Sequence, residues 1–293
     1  MNKRVISGEI FLVLSIVCGC FNDVFSKHLG CYASSGEIVF FRFLIGAIIL
    51  MPFMSKNDYL QTIRGKQALL NFVRSILGVF SMWLCTYSVI HLKLVEVTIL
   101  LWSIPLFELV FSRLFLSEMV NFRQISATII CFICIVAFSV KVSDFSVEHS
   151  CLYILPLTAA MLFAFQDIII KKIGRNNQCD LSMLFSFSIY ATIFSSFSFW
   201  NECGKLTFSI KTVALFIVLG ICGQLMQYFL FMAFRRSMLS QLAPIRYLEF
   251  IIQAFFGFIF FSEIPSKTNI ICAIMLLAII HIVSKINKLA TKK

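Results

Sequence analysis

Apolar stretches of about twenty residues, separated by short polar breaks, repeat along the whole chain. A helix needs about twenty such residues to cross roughly 30 Å of hydrocarbon. The pattern predicts ten helices, at 7–27, 36–54, 68–90, 94–116, 122–140, 151–171, 181–200, 210–234, 240–261 and 268–285. The breaks are too short for a soluble domain, so consecutive helices run antiparallel. Backbone amides in lipid must bond within their own segment, which favours an all-α membrane protein. The first run follows Lys3 and Arg4 like a signal peptide. No small-residue cleavage site follows it and further runs do, so it reads as a span.

The pattern repeats internally. Asn22-Asp23 with Lys27 in the first helix matches Gln166-Asp167 with Lys171 in the sixth, 144 residues on. Glu37 matches Asp180 at 143 residues, and Phe115-Leu116-Ser117-Glu118 matches Phe260-Phe261-Ser262-Glu263 at 145. These offsets predict two five-helix repeats, 1–142 and 143–293. Five is odd, so the repeats are inverted, an arrangement typical of secondary transporters with a substrate site near the midplane.

Composition agrees. The 293 residues are 60% hydrophobic and 13% charged, against about a quarter charged in soluble domains. A net charge of +11 invites a nucleic-acid partner, but the cations lie in short loops rather than on one patch. With the N-terminus in the cytoplasm, fifteen of the 25 Lys and Arg fall on the cytoplasmic side and six opposite, with Arg42, Arg74, Arg113 and Arg246 inside spans. This bias predicts both termini inside, in a bacterial inner membrane. Among the 11 Cys, Cys131 and Cys134 form a CxxC in an apolar run without further matching ligands, so no metal site is expected. The four His make no ligand pair, and no GxxxxGK[ST] loop occurs, which argues against ATP-driven transport within this chain. Neither a convergent catalytic constellation nor a cofactor motif is visible, so an enzyme is not expected.

Three stretches carry a family resemblance: NFVRSILGVFSMWLCTYSVIHLKLVEVTIL (71–100), IPLFELVFSRLFLSE (104–118) and APIRYLEFIIQAFFGFIFFSEIP (243–265). They resemble the ten-helix EamA-type branch of the drug/metabolite transporter superfamily, over nearly the whole chain. The second half has Phe250 where register with Pro105 would put a proline, which removes that basis for a kink in the ninth helix. FNDVFSKHLG in the first helix, with Glu37 and Phe40-Phe41-Arg42-Phe43, is similar to S-adenosylmethionine uptake carriers. That likeness implies import of S-adenosylmethionine in exchange for S-adenosylhomocysteine. Fold does not fix substrate, and a proton-coupled exporter of amino acids, drugs or other metabolites is the alternative.

Charges at bilayer depth cost at least ~2.5–3.5 kcal/mol each, so they face a protein interior or a water path. Arg246 and Glu249 lie three apart in one predicted helix, so they share a face and can pair, which suits either a substrate site or a structural ion pair. Residues with a repeat mate (Asp23 with Asp167, Lys27 with Lys171, Glu118 with Glu263) are expected to be scaffold. Charges without a mate are the substrate candidates. Arg42 faces Phe185 in the register, Glu108 faces Gln253, and Arg246 and Glu249 face Leu101 and Ile104. Arg74, facing Val218, is also unmated, and for it, as for Arg113, snorkelling toward the cytoplasmic face is the alternative. For S-adenosylmethionine, Glu108 or Glu249 would balance the sulfonium or ammonium, and Arg42 or Arg246 would grip the carboxylate in a fork. Trp83, Tyr87, Trp102 or Tyr228 would stack the adenine. Pro105 predicts a kink in the fourth helix. Two complementary halves allow a functional monomer in the lipid bilayer.

Overall fold

The computed structural model describes residues 8–56, 58–59, 66–91, 97, 100–139, 152–175, 180–202, 204, 206, 209–262 and 271–280. Helices make up the regular structure, and no strand occurs among the described residues. In chain order they are α1 (Gly8–Leu29), α2 (Ser35–Leu50, continued by a 3₁₀ turn Met51–Phe53), α3 (Lys66–His91), α4 (Ile104–Leu116), α5 (Phe122–Ser139), α6 (Ile154–Arg175), α7 (Asp180–Glu202), α8 (Ile210–Arg236), α9 (Leu239–Arg246), α10 (Leu248–Phe261) and α11 (Ile271–Ile280). Among the described residues, seven segments are long and apolar enough to cross a bilayer, with α9 and α10 together forming one of them.

Two of the predicted helices are broken. The fourth turns at Trp102-Ser103 before α4 begins. Pro105 lacks an N–H and its ring crowds the carbonyl of residue 101, so the turn before it opens. The ninth breaks at Tyr247, between α9 and α10. No proline marks that point. The break instead sets Arg246 at the negative end of α9 and Glu249 in the first turn of α10, each where the helix dipole favours its charge. Both broken helices finish on a left-handed serine: Ser117 (φ 52°) after α4 and Ser262 (φ 54°) after α10.

The helices pair in a regular way: α1 with α8, α3 with α6, and α2 with α7, while α2 also meets α8 and α3 also meets α7. Near the centre α4 meets α6, α9 and α10 meet α1, and α9 meets α4. Lipid is as apolar as a leucine side chain, so association depends on close packing and polar contacts. Ala159, Ala160 and Ala164 make α6 smooth and are wholly buried. Polar side chains stitch neighbours together: Ser15 Oγ donates to the Met226 carbonyl (2.8 Å), Asn22 Nδ2 to the Leu219 carbonyl (3.1 Å) and Gln224 Nε2 to Ser188 Oγ (2.7 Å). Buried serines on α7 bond back along their own helix, Ser186 Oγ to the Ser182 carbonyl at 2.7 Å. Cys131 and Cys134 pack with Cys272 in an apolar cluster, as small hydrophobes.

Candidate functional site

The two helix breaks bring charged side chains to the middle of the bundle. Arg246, at the end of α9, reaches two carboxylates on two other helices. Its Nη1 lies 3.1 Å from Glu108 Oε1 on α4, and its Nη2 donates to Asp167 Oδ2 on α6 at 2.7 Å. Glu108 is 1% exposed and Asp167 7%, while Arg246 keeps 17%. A buried carboxylate needs a partner, and the shared guanidinium serves both. Tyr247, also buried and electrostatically coupled to Glu108, has no hydrogen-bond partner for its hydroxyl among the described residues. Arg74 on α3 is wholly buried. Its Nη2 donates to Gln227 Oε1 at 2.5 Å, its guanidinium lies 4.1 Å over the Phe187 ring, and Asp167 attracts it.

A second polar group forms beside the first. Gln253 Nε2 on α10 lies within hydrogen-bond distance of both Asp23 Oδ2 on α1 (3.2 Å) and Glu249 Oε1 (3.3 Å). Asp23 keeps an accessible side chain although Gln253 of α10 and Arg42 of α2 lie beside it, so it faces a space between helices rather than close-packed neighbours. Arg42 on α2 is attracted to Asp23 but forms no ion pair with a carboxylate among the described residues; its Nη2 comes 4.0 Å from Met226 Sδ. Among the described residues, these two adjoining groups hold four carboxylates (Asp23, Glu108, Asp167, Glu249) and three guanidinium groups (Arg42, Arg74, Arg246), one carboxylate more than cations.

Several expectations change here. Arg246 and Glu249 do not form an ion pair: the break at Tyr247 removes the shared helix face, and each finds other partners. Arg74 does not snorkel but is enclosed. Asp23 and Asp167, read as a matched scaffold pair, differ in surroundings, since Asp167 has an arginine and Asp23 an amide. The register held the reason: Leu101 stands where Arg246 would have a mate. Gln253, not singled out as a candidate, holds the acidic pair together.

Glu108, Arg246, Glu249 and Arg42 thus converge on the centre. The aromatic candidates scatter. Trp102 packs edge-on to Phe250 (5.2 Å) at the first break, and Tyr228 packs beside the main core. Trp83 is half-exposed, stacks on Phe80 and lines a separate apolar groove of about 430 Å³ between α2, α3 and α7. The Tyr87 side chain lies outside the described residues, as does Glu263.

Residues 6–140 match the EamA-like transporter family. The chain is 33% identical to an S-adenosylmethionine uptake transporter of Rickettsia felis, covering 94% of this chain and 91% of the relative, and 32% identical to one of Rickettsia prowazekii with the same coverage. It is 24% identical to a pseudopaline exporter of Pseudomonas aeruginosa, covering 96% and 97%. A solved crystal structure superposes with a TM-score of 0.81 at 12% identity, covering 98% of this chain and 99% of the other, a likeness of fold. A helical membrane bundle with paired charges at its centre and relatives at this identity over almost its whole length, the chain belongs to the EamA-like transporter family.

Proposed function

We propose that this carrier imports S-adenosylmethionine in exchange for S-adenosylhomocysteine, by alternating access between two inverted five-helix halves, 1–142 and 143–293. One observation carries the substrate assignment: among the described residues the central group has one more carboxylate than guanidinium, with Asp23 accessible at its edge. S-adenosylmethionine has a sulfonium, an ammonium and a carboxylate, hence one net positive charge. The names of the rickettsial relatives support the same choice.

Asp23 and Glu249, bridged by Gln253, receive the sulfonium or ammonium. Arg42 holds the substrate carboxylate in a two-pronged contact, the geometry a guanidinium suits best. Trp102 and Tyr228 are the aromatic groups for the adenine. Glu108 and Asp167, with Arg246 and Arg74, form a charge-balanced pivot that keeps the broken helices together around the site.

The paired halves are supported by symmetry of packing. Exchanging the halves turns α1 on α8 into α6 on α3, leaves α2 on α7 unchanged, and turns α4 on α6 into the α9–α10 helix on α1. The breaks at Trp102 and Tyr247, and the caps at Ser117 and Ser262, are both 145 residues apart. Ten spans follow if the shorter helices complete the second and first halves, with both termini in the bacterial cytoplasm and a single chain sufficient for transport.

The test is uptake of labelled S-adenosylmethionine by a bacterial host lacking its own importer. Saturable uptake, competed by S-adenosylhomocysteine and accelerated by preloading cells with it, is expected. Absence of uptake with the protein shown in the membrane would overturn the substrate. A proton-coupled exporter is the second reading, supported by the likeness to the pseudopaline exporter; loss of transport when the pH gradient alone is collapsed would favour it.

A further inference from the structure

The two copies of the amide–acid–lysine motif sit in opposite circumstances. In α1, Asp23 and Lys27 are both exposed, and the Lys27 ammonium lies 4.0 Å over the Phe261 ring near the end of α10. In α6, Asp167 and Lys171 are both buried. Lys171 Nζ donates to the carbonyls of Phe234 and Ser237, in the last turn of α8 and just beyond it, where helix carbonyls have no partner of their own. The same ammonium lies 3.9 Å from Glu118 Oε1, with the two side chains only 8% and 2% exposed. Glu118 follows the left-handed cap Ser117, and its Oε2 accepts the backbone N–H of Ser240 in the first turns of α9 at 3.5 Å. One lysine and one glutamate therefore tie the ends of α4, α6 and α8 to the start of α9. The start of α1 abuts the same junction: a Cβ on Gly8 would lie 2.3 Å from Ser237 Oγ.

We infer that Lys171, with Glu118, is the latch that closes one end of the substrate path, and that this structure is the state sealed at the Lys171 end and open at the Lys27 end. The inference rests on the carrier reading above but not on its substrate. A buried ammonium that bonds two carbonyls and a carboxylate is costly to leave half-made, so the junction has two states, closed or parted, rather than a graded opening. Opening it would let the carbonyls, the lysine and the glutamate take up water together.

The test uses native Cys222, half-buried near the middle of α8 beside Arg42, as a reporter. A membrane-impermeant maleimide is applied to right-side-out and inside-out vesicles, and the Cys222 peptide is followed by mass spectrometry. In the wild type, Cys222 should react from the Lys27 side and be protected from the Lys171 side. Lys171→Met should raise labelling from the Lys171 side by about tenfold, the size of a shift of a two-state equilibrium by one decade. Lys172→Met, next in sequence and exposed, should leave the pattern unchanged. If Lys171→Met does not reach the membrane, Glu118→Gln keeps an acceptor for Ser240 while removing the charge, and should give the same change of side. An unchanged pattern in a latch variant that reaches the membrane, or equal change with Lys172→Met, overturns the latch. Labelling needs no substrate, so failure of S-adenosylmethionine uptake with a normal latch response would count against the substrate alone.

Discussion

Arg246 holds two carboxylates that would otherwise face each other out of water. Replacing it by leucine, the residue at its register mate Leu101, should destabilise the protein by about 3–5 kcal/mol, the usual result of stripping a buried ion pair of one partner. Thermal unfolding in detergent checks this, and adding Glu108→Gln with Asp167→Asn should recover much of the loss. Asp23 differs because its side chain is accessible and its hydrogen-bond partner is an amide, Gln253. Asp23→Asn should leave thermal stability nearly unchanged and lower S-adenosylmethionine uptake by about tenfold, the value of one charge-assisted contact. At this scale the sequence located the charges but not their partners. Pairing of Arg246 with Glu249 was one of two readings open in the chain, because i and i+3 share a face on an unbroken helix. Helix continuity was the assumption that failed, and it failed at Tyr247. Asp23 and Asp167 look equivalent along the chain. They differ because of Leu101 and Arg246, two residues that can be compared only once the repeat register is drawn.

Helix existence was legible from hydrophobic run length, since lipid leaves the backbone few other options. Helix ends and junctions carry less apolar signal and more polar chemistry. The start of α2 is one example. Ser34 and Glu37 form a reciprocal cap, with Ser34 N–H donating to Glu37 Oε2 at 2.7 Å and Glu37 N–H to Ser34 Oγ at 3.3 Å. Glu37 Oε1 also accepts the backbone N–H of Gly204, beyond α7. Beside this cap Gly36 touches the last turns of α7, where an added Cβ would lie 2.7 Å from the Ser198 carbonyl oxygen. That neighbour is backbone and cannot swing aside. Gly36→Ala should therefore part α2 from α7 and cost about 1–3 kcal/mol, read as a lower melting temperature. The proline rule located the break before Pro105 but offered nothing at Tyr247, where opposite dipole ends and their charges supply the reason.

For the whole molecule, the proposed exchange has an electrical consequence. S-adenosylmethionine enters with one net positive charge and S-adenosylhomocysteine leaves with none, so each cycle moves one charge inward. An inside-negative potential then favours import by about 2.3 kcal/mol per 100 mV, roughly a fiftyfold concentration ratio. Collapsing the potential with valinomycin and external potassium should slow uptake and lower its plateau, whereas collapsing the pH gradient alone should not. A plateau insensitive to potential would mean that a compensating charge moves with the substrate. The broad architecture was readable from repeated apolar spacing, and the family from the resemblance carried by residues 71–100, 104–118 and 243–265. The excess interior charge was not, because it depends on which side chains turn inward from different helices.

The shared arginine also bears on how the protein is made. Glu108 lies on α4, while Asp167 and Arg246 lie on α6 and α9, so the glutamate's counter-ion is synthesised well over a hundred residues after it. Until α9 is made, Glu108 lacks the guanidinium that meets it in the folded bundle. Chains cut before residue 239 should therefore hold their early spans less firmly than full-length chains, read as faster degradation of the truncated product.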